Sequence, residues 1–199
     1  KVAGNLKYYG ENTKNKSKLS LFKKKFKSFT VWCAASTHKG EENLVVKLHK
    51  NIKRDKKKLL TVIIPRHVNR SKKILKYLAN EKLRAITHSS KDNLKDNTDI
   101  YIVDTYGEVS KFYNISNITF MGGSIVKHGG QNPLEPARHG CNILYGPYVN
   151  NFKKIYNYLD KIQVSKKIRG DKSLFKNIEL LISNKSKGRS VIRRVSNLG

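Results

Sequence analysis

The sequence predicts an α/β fold in which a Rossmann-like parallel sheet carries helices on both faces. Short apolar runs alternate along the 199-residue chain with segments whose apolar residues recur at helical spacing. One run, KLLTVIIP at 58–65, is continuously apolar and ends in proline, as is typical of a central parallel strand. Conspicuous polar segments follow three of the runs, and such sheets bind ligands beyond the carboxyl ends of their strands.

Each element is predicted from its own pattern. In the helix after the first strand, Glu41 and Glu42 occupy the favourable first turn, behind a cap at Ser36 or Thr37. The predicted strands cover 29–36, 58–65, 99–104, 117–123 and 141–147. The predicted helices run from that cap to Ile52 and over 71–83, 107–116, 133–140, 150–162 and 173–184.

Length and composition suit a single domain with a real core, since 38% of the residues are hydrophobic. We expect a linker or domain start over 1–18, the folded domain over 19–185 and a basic tail over 186–199. The sequence shows neither an apolar run near the ~20 residues of a spanning helix nor a signal-peptide core. Cys33 and Cys141 give no disulfide framework or zinc spacing and favour a reducing compartment. Because the first residue is not methionine, we expect a fragment of a longer protein.

The chain is strongly basic, with 42 Lys and Arg against 14 Asp and Glu and a formal net charge of +28 at pH 7. Such a charge fits a nucleic-acid partner, an anionic membrane surface or an excess of lysine spread over solvated faces. The lysines lie along the whole chain, without the interleaved aromatic residues or reading motifs of nucleic-acid modules. We rank the compositional excess first and the membrane surface second, and expect no nucleic-acid partner.

Three loops are expected to meet at one edge of the sheet, because the carboxyl ends of parallel strands share an edge. In the first loop Arg66 follows Pro65, and its guanidinium can hold a phosphate or a carboxylate, or serve as a structural ion pair. In the second loop Gly107 lies near a helix start, where backbone N–H groups either favour an anion or form an ordinary cap.

The third loop, GGSIVKHGGQNPLE at 122–135, is the strongest signal. Its four glycines would let a ligand approach the backbone closely, and Ser124, Lys127 and His128 offer hydrogen-bond donors between them. Glu135, about one turn into the next helix, can accept hydrogen bonds from both hydroxyls of a ribose, or simply favour a first helical turn. The loop matches neither a Walker motif nor GxGxxG, which disfavours ATP and NAD sites.

The motifs WCAASTHKGEE, IIPRH, VDTYGE, FMGGS and HGGQNPLEPA resemble, in this order and spacing, the C-terminal half of the 3-deoxy-D-manno-octulosonic acid (Kdo) transferases. The resemblance covers roughly residues 2–160, and its last motif is highly specific. It implies a GT-B glycosyltransferase, in which two Rossmann-like domains face each other across a cleft. It also implies transfer of Kdo from CMP-Kdo to a lipid A precursor, with inversion and without a metal or cofactor, at the cytoplasmic face of the bacterial inner membrane.

On this resemblance, residues 19–185 form the CMP-Kdo binding domain. The positions that match the family's CMP-binding motifs are Pro65, Arg66, Tyr106, Gly107, Glu108, Asn132, Pro133, Leu134 and Glu135. We infer contacts to the donor phosphate or the Kdo carboxylate from Gly123, Ser124, Lys127 and His128. The chain departs from the family pattern at Gln131, where a histidine is usual, at Ala35 and at Lys39.

The resemblance also implies what lies outside this chain. The family's catalytic base is a glutamate of an N-terminal domain, which also binds the lipid acceptor and is expected to precede this chain. The chain would then hold the donor and stabilise the departing CMP, with no catalytic residue of its own. The alternatives are a non-catalytic basic binding domain, an inert remnant of a truncated gene, and a GT-B transferase that uses another nucleotide sugar.

Overall fold

A parallel sheet of seven strands forms the centre of the molecule, which confirms the predicted α/β class. The computed structural model describes residues 13–183 and 187–196. The strands are β1 Thr30–Thr37, β2 Leu59–Pro65, β3 Ala85–Thr87, β4 Ile100–Ile102, β5 Ile118–Met121, β6 Asn142–Tyr145 and β7 Ser165–Lys167. The helices are α1 Thr13–Lys25, α2 Glu41–Lys53, α3 Ser71–Asn80, α4 Val109–Tyr113, α5 Leu134–Arg138, α6 Lys153–Lys161, α7 Asp171–Ser183 and α8 Lys187–Ser196.

Helices cover both faces of the sheet because successive side chains of a strand point to opposite sides. In β1, Cys33 and Ala35 face one layer while Trp32 and Ala34 face the other, and all four are fully buried. The first layer holds apolar side chains from α1, α4, α5, α6 and α8, and the second holds those of α2, α3 and α7. Every residue of β2 is buried, which explains its continuous apolar sequence.

The strand order, β3-β4-β2-β1-β5-β6-β7, reverses direction between β1 and β5. The chain first builds β2, β4 and β3 to one side of β1, and then β5, β6 and β7 to the other. Doubly wound sheets bind their ligands at such a reversal, beyond the carboxyl ends of the strands. The fold therefore brings the loops that follow β2, β1 and β5 side by side.

The sequence did not predict the two edge strands, β3 and β7. β3 and β7 have three residues each, and neither is buried along its whole length. No continuous apolar run marks them for that reason. β7 carries the exposed side chains of Lys166 and Lys167, which give it the composition of a surface loop.

Both ends of the chain differ from the expected linker and tail. Residues 1–12 of the predicted linker lie outside the described residues, and α1 begins within its remainder. In α1, the ring of Phe22 lies 5.2 Å from that of Phe112, between ring centroids. In place of a basic tail the structure has α8, whose Val191 and Val195 are buried against the sheet. Two apolar residues one turn apart form the buried face of this helix, whose remaining residues are mostly polar or basic.

The predicted cap of α2 is wrong. β1 continues to Thr37, with an irregular pairing to β2 at Ser36, whose φ is +55°. The residue before the first turn of α2 is Gly40, with a φ of +96°, and no side chain caps this helix end. The start of α2 therefore depends on a glycine that permits a left-handed conformation.

A buried polar network stabilises the amino-terminal edge of the sheet. Asp99 accepts hydrogen bonds from Lys53 and from the backbone N–H of Arg84, the latter at 2.8 Å. His49, fully buried, lies with Nε2 3.5 Å from Asp99 Oδ1 and with Nδ1 2.8 Å from the Thr61 hydroxyl. Burial raises the pKa of Asp99, but the neighbouring donors outweigh it and hold the pKa well below its ordinary value.

We expect Asp99→Asn to lower the free energy of unfolding by about 3 kcal/mol near pH 7, because it leaves buried donors without their anionic partner. The folded-state pKa lies below the unfolded value of about 4, so the contribution is complete above that pH and is lost as the pH falls. The difference between variant and parent should narrow below about pH 4, as urea unfolding would measure.

Asp96→Asn is the matched control for this experiment. Asp96 pairs with Lys58 at the surface, where its side chain is 75% exposed. We expect the control to change the free energy of unfolding by less than about 0.5 kcal/mol. Equal stabilities for the parent and Asp99→Asn would contradict the assigned role of the network.

Candidate functional site

A cleft of about 250 Å³ lies at the carboxyl edge of the sheet, where the strands meet α4 and α5. Residues from three separate loops line it, as the parallel order of the strands predicts. Six of the predicted CMP-binding residues are among them, namely Pro65, Arg66, Tyr106, Gly107, Asn132 and Glu135. The cleft thus unites polar residues as distant in the sequence as Ser36 and Glu135.

The side chains at the rim of the cleft are those that a ligand can reach. Arg66, Asn132 and Glu135 are exposed, and the side chain of Tyr106 is 78% exposed. Glu135 is the second residue of α5, so it lies nearer the helix start than the sequence suggests. Gly107, with φ +77°, turns the chain from β4 toward α4 in a conformation that glycine adopts without strain.

Asn132 also stabilises the backbone that forms the cleft. Its Oδ1 accepts a hydrogen bond of 3.0 Å from the backbone N–H of Leu134, at the start of α5. Pro133 is buried and Leu134 is half-buried, and neither lines the cleft. These two predicted CMP-binding residues therefore fix the helix that presents Glu135.

Glu108 points away from the cleft into a neighbouring cavity. Its carboxylate accepts hydrogen bonds from Lys111 Nζ at 2.5 Å and from His88 Nε2 at 2.7 Å. The hydrogen bonds from Lys111 and His88 lower the pKa of Glu108. Its contacts are those of a residue that holds α4 against the loop after β3.

The structure also separates the four inferred contacts to phosphate or Kdo. Ser124 is fully buried; its hydroxyl donates to Met121 O and accepts from the backbone N–H of Gly146, at 2.5 and 2.8 Å. This hydroxyl does not face the cleft, because it connects the glycine loop to the end of β6. Lys127 and His128 are exposed, and Lys127 Nζ lies 5.9 Å from the ring of Tyr148.

The glycines of the loop make room for the protein itself rather than for a ligand. A Cβ atom on Gly122 would lie 2.4 Å from the backbone oxygen of Ser36, and one on Gly129 would lie 2.5 Å from Asn151 Nδ2. Real Cβ atoms do not approach other atoms so closely. These two glycines are therefore required by close packing between neighbouring loops.

Glu41 is the residue whose importance the sequence did not reveal. Its buried carboxylate accepts three backbone hydrogen bonds, from His38 at 2.9 Å, Gly123 at 2.8 Å and Ile125 at 3.1 Å. Gly123, an inferred ligand contact, therefore gives its N–H to the protein. The carboxylate joins the loop after β1 to the loop after β5, and so it fixes the backbone next to the cleft.

We expect Glu41→Ala to lower the free energy of unfolding by about 3 kcal/mol, because one buried and two partly buried N–H groups lose an anionic acceptor. Glu41→Gln should cost less, since its amide keeps one acceptor oxygen. Glu81→Ala is the control, because Glu81 pairs with Lys50 at the surface, and we expect a change of less than about 1 kcal/mol. Denaturant unfolding measures all three, and a Glu41→Ala protein as stable as the control would contradict the assignment.

Within residues 13–183 and 187–196, no three His, Cys, Asp or Glu side chains are grouped so that they could hold a metal ion. In the same part of the chain, no helix has the length and apolar character needed to cross a membrane.

The chain resembles curated Kdo transferases in sequence. It is 35% identical over 164 residues to the 3-deoxy-D-manno-octulosonic acid transferase of Haemophilus influenzae, a match that covers 81% of the chain and 38% of that protein. It is 32% identical over 180 residues to the transferase of the same name from Rickettsia bellii, covering 90% of the chain and 43% of that protein. The chain thus spans about two fifths of the length of these relatives. No family model matches it.

Solved structures show the same fold. The C-terminal CMP-Kdo binding domain of WaaA from Acinetobacter baumannii superposes with a TM-score of 0.83 at 21% identity, covering 91% of this chain and 95% of that domain. The C-terminal domain of a glycosyl transferase group 1 family protein, LpcC, from Francisella tularensis gives a TM-score of 0.57 at 12% identity, covering 100% and 96%. The fold is that of the C-terminal domain of GT-B glycosyltransferases, and the chain belongs, over the part of those proteins that it matches, to the 3-deoxy-D-manno-octulosonic acid transferase family.

Proposed function

We propose that the chain is the donor-binding part of a Kdo transferase and that the cleft binds the CMP portion of CMP-Kdo. The observation that carries the proposal is the convergence of Arg66, Tyr106 and Glu135, from three motif-bearing loops, on one cleft beside the reversal of the strand order. The description of the Acinetobacter baumannii domain as CMP-Kdo binding supports the choice of nucleotide.

Each side chain has a role that follows from its chemistry. The guanidinium of Arg66 can form a forked pair with a phosphate. The carboxylate of Glu135, which also lines the cleft, can accept hydrogen bonds from the two hydroxyls of a ribose. The exposed ring of Tyr106 offers a flat apolar face against which a nucleobase can pack.

In the proposed reaction an acceptor hydroxyl attacks the anomeric carbon of Kdo, and CMP leaves with the bonding electron pair. The negative charge on the departing phosphate grows as the bond breaks, so a cation placed there before the reaction stabilises the transition state. Arg66 supplies that cation. The hydroxyl proton goes to a general base, which we assign to a part of the full transferase other than this chain. The reaction proposed for this donor requires no cofactor.

We expect CMP to bind the chain, and both Glu135→Ala and Arg66→Ala to weaken binding about tenfold to a hundredfold, because each removes a charged hydrogen-bonding group. Arg84→Ala is the control, since Arg84 is exposed and precedes β3, at the opposite edge of the sheet. Isothermal titration calorimetry with CMP, UDP and ADP measures the affinities. Tighter binding of UDP or ADP would indicate another nucleotide sugar, and no binding of CMP at millimolar concentration would overturn the proposal.

We also propose that the full transferase acts at an anionic membrane, on the cytoplasmic face of the bacterial inner membrane, where the acceptor is a lipid A precursor. The net charge of +28 supports this setting. At the end of α1, Lys23, Lys24 and Lys25 are exposed, and the side chain of nearby Leu21 is 69% exposed. Such a combination of cations and an apolar side chain suits the surface of an anionic bilayer.

Vesicle sedimentation tests the membrane proposal. We expect Lys23→Gln/Lys24→Gln to reduce binding to anionic vesicles about thirtyfold, at roughly 1 kcal/mol for each lysine, and neutral vesicles not to bind. Lys56→Gln/Lys57→Gln is the control of equal charge, placed in the exposed turn before β2. Equal losses in the two variants would refute a specific role for α1. Binding to nucleic acid that CMP does not affect would instead favour a non-catalytic basic domain.

A further inference from the structure

Three histidines meet beside the cleft, each in the loop after one of three adjacent strands. His38 follows β1, His67 follows β2 and His128 lies in the loop after β5. The rings of His38 and His128 are stacked, with centroids 4.2 Å apart and planes 19° apart. The ring of His67 lies 6.4 Å from that of His38, at an angle of 88°.

This histidine cluster adjoins the cleft through Gln131. Gln131 lines the cleft, and its Nε2 lies 3.5 Å from Nε2 of His38. The ring of His38 also packs over the backbone of Gly123, where an added Cβ atom would lie 3.1 Å from it. The imidazoles are therefore held in place by the loop that forms the end of the cleft.

The charged groups around the cluster are predominantly cationic. His38 faces Arg66, Arg70, His67 and His128, while the nearby Glu41 is occupied by backbone N–H groups. The carboxylate of Glu42 is paired with Arg70 at 2.8 Å.

The surroundings of His38 therefore disfavour a proton on its ring in the absence of a ligand. Burial lowers the pKa of His38, and the neighbouring His128, Arg70, His67 and Arg66 lower it further. Two stacked rings cannot both carry a proton without strong repulsion.

We propose that His38 and His128 form a binding site for an oxyanion, a phosphate or a carboxylate, which binds together with one proton taken up from solvent by the stacked imidazoles. The inference rests on the proposed function, because its occupant is the anionic part of a nucleotide-sugar donor. An anion placed between Arg66 and the imidazoles offsets the repulsion that disfavours protonation. The protonated ring then donates a charge-assisted hydrogen bond to it.

This coupling has a direct consequence for affinity. Because the anion raises the affinity of the site for a proton, the proton must raise the affinity of the site for the anion by the same factor. Affinity for an anionic ligand should therefore fall as the pH rises above the pKa of the unliganded imidazoles. Gln131 cannot take part in this titration, because a side-chain amide carries no titratable proton in this range.

The test compares a ligand that carries an anionic phosphodiester with one that has the same nucleoside and no phosphate. The methyl ester of CMP is a phosphodiester whose single negative charge stays constant between about pH 5.5 and 8.5, and cytidine carries no charge there. We expect affinity for the ester to fall about tenfold from pH 6 to pH 8, while affinity for cytidine stays constant. Calorimetry in two buffers of different ionisation enthalpy should show uptake of up to about one proton with the ester.

Variants assign the effect to the stacked pair. His128 is exposed, so His128→Asn should fold normally and abolish most of the pH dependence, and His38→Asn should do the same. His139→Asn is the control, since the ring of His139 lies against Tyr113, with centroids 6.2 Å apart, and not in the stack. It should keep the pH dependence of the parent. NMR titration of the imidazole signals should show the proton affinity of the pair rising when the ester is added.

The outcomes separate this inference from the proposed function. Ester binding that is equal at every pH, or pH dependence that survives unchanged in His128→Asn, overturns the proton-coupled site and leaves nucleotide binding intact. If the ester binds no better than cytidine, the oxyanion site alone fails. If neither ligand binds the folded protein at any pH, the donor-binding function fails and this inference fails with it.

Discussion

The carboxylate of Glu41 is the interaction on which the geometry of the carboxyl edge depends. β1 and β5 pair through three residues each, and the backbone N–H of Gly122 donates to Ala35 O just beyond them. Glu41 continues the connection past the strand ends by accepting N–H groups of His38, Gly123 and Ile125. An anionic acceptor is well suited to this place, because one buried and two partly buried N–H groups converge there and would be costly to leave unpaired.

Because Glu41 holds the two loops together, the loops pack on one another, and their outer side chains remain accessible to a ligand. Gly122 lies against the backbone of Ser36, and the buried hydroxyl of Ser124 connects the glycine loop to the end of β6. These residues of the motif therefore make contacts within the protein. Arg66, which no such contact buries, stays at the rim, where a phosphate can reach it. The division explains why a conspicuous motif contains few groups that line the cleft.

The sequence predicted what local pattern determines and missed what distant contacts determine. β2 is continuously apolar because it is buried on both faces, and the order of the polar loops followed from the parallel arrangement of the strands. The role of Glu41 depends on a partner 82 residues away, which no periodicity reveals. The inward direction of Ser124 depends in the same way on Gly146, and α8 was hidden because only Val191 and Val195 mark its buried face.

The charges around the cleft are arranged unevenly, and this arrangement bears on how a nucleotide would lie in it. Arg66 and Arg70 bring cations to the segment that follows β2, whereas Glu135 brings an anion on α5. The charge of a nucleotide is also distributed unevenly, with a negative phosphate at one end and neutral ribose hydroxyls beside it. Matching the two places the phosphate toward the cations and the ribose toward Glu135, because the reverse orientation would set phosphate against carboxylate. The overall charge of +28 attracts any anion, so orientation must come from this local asymmetry rather than from the total.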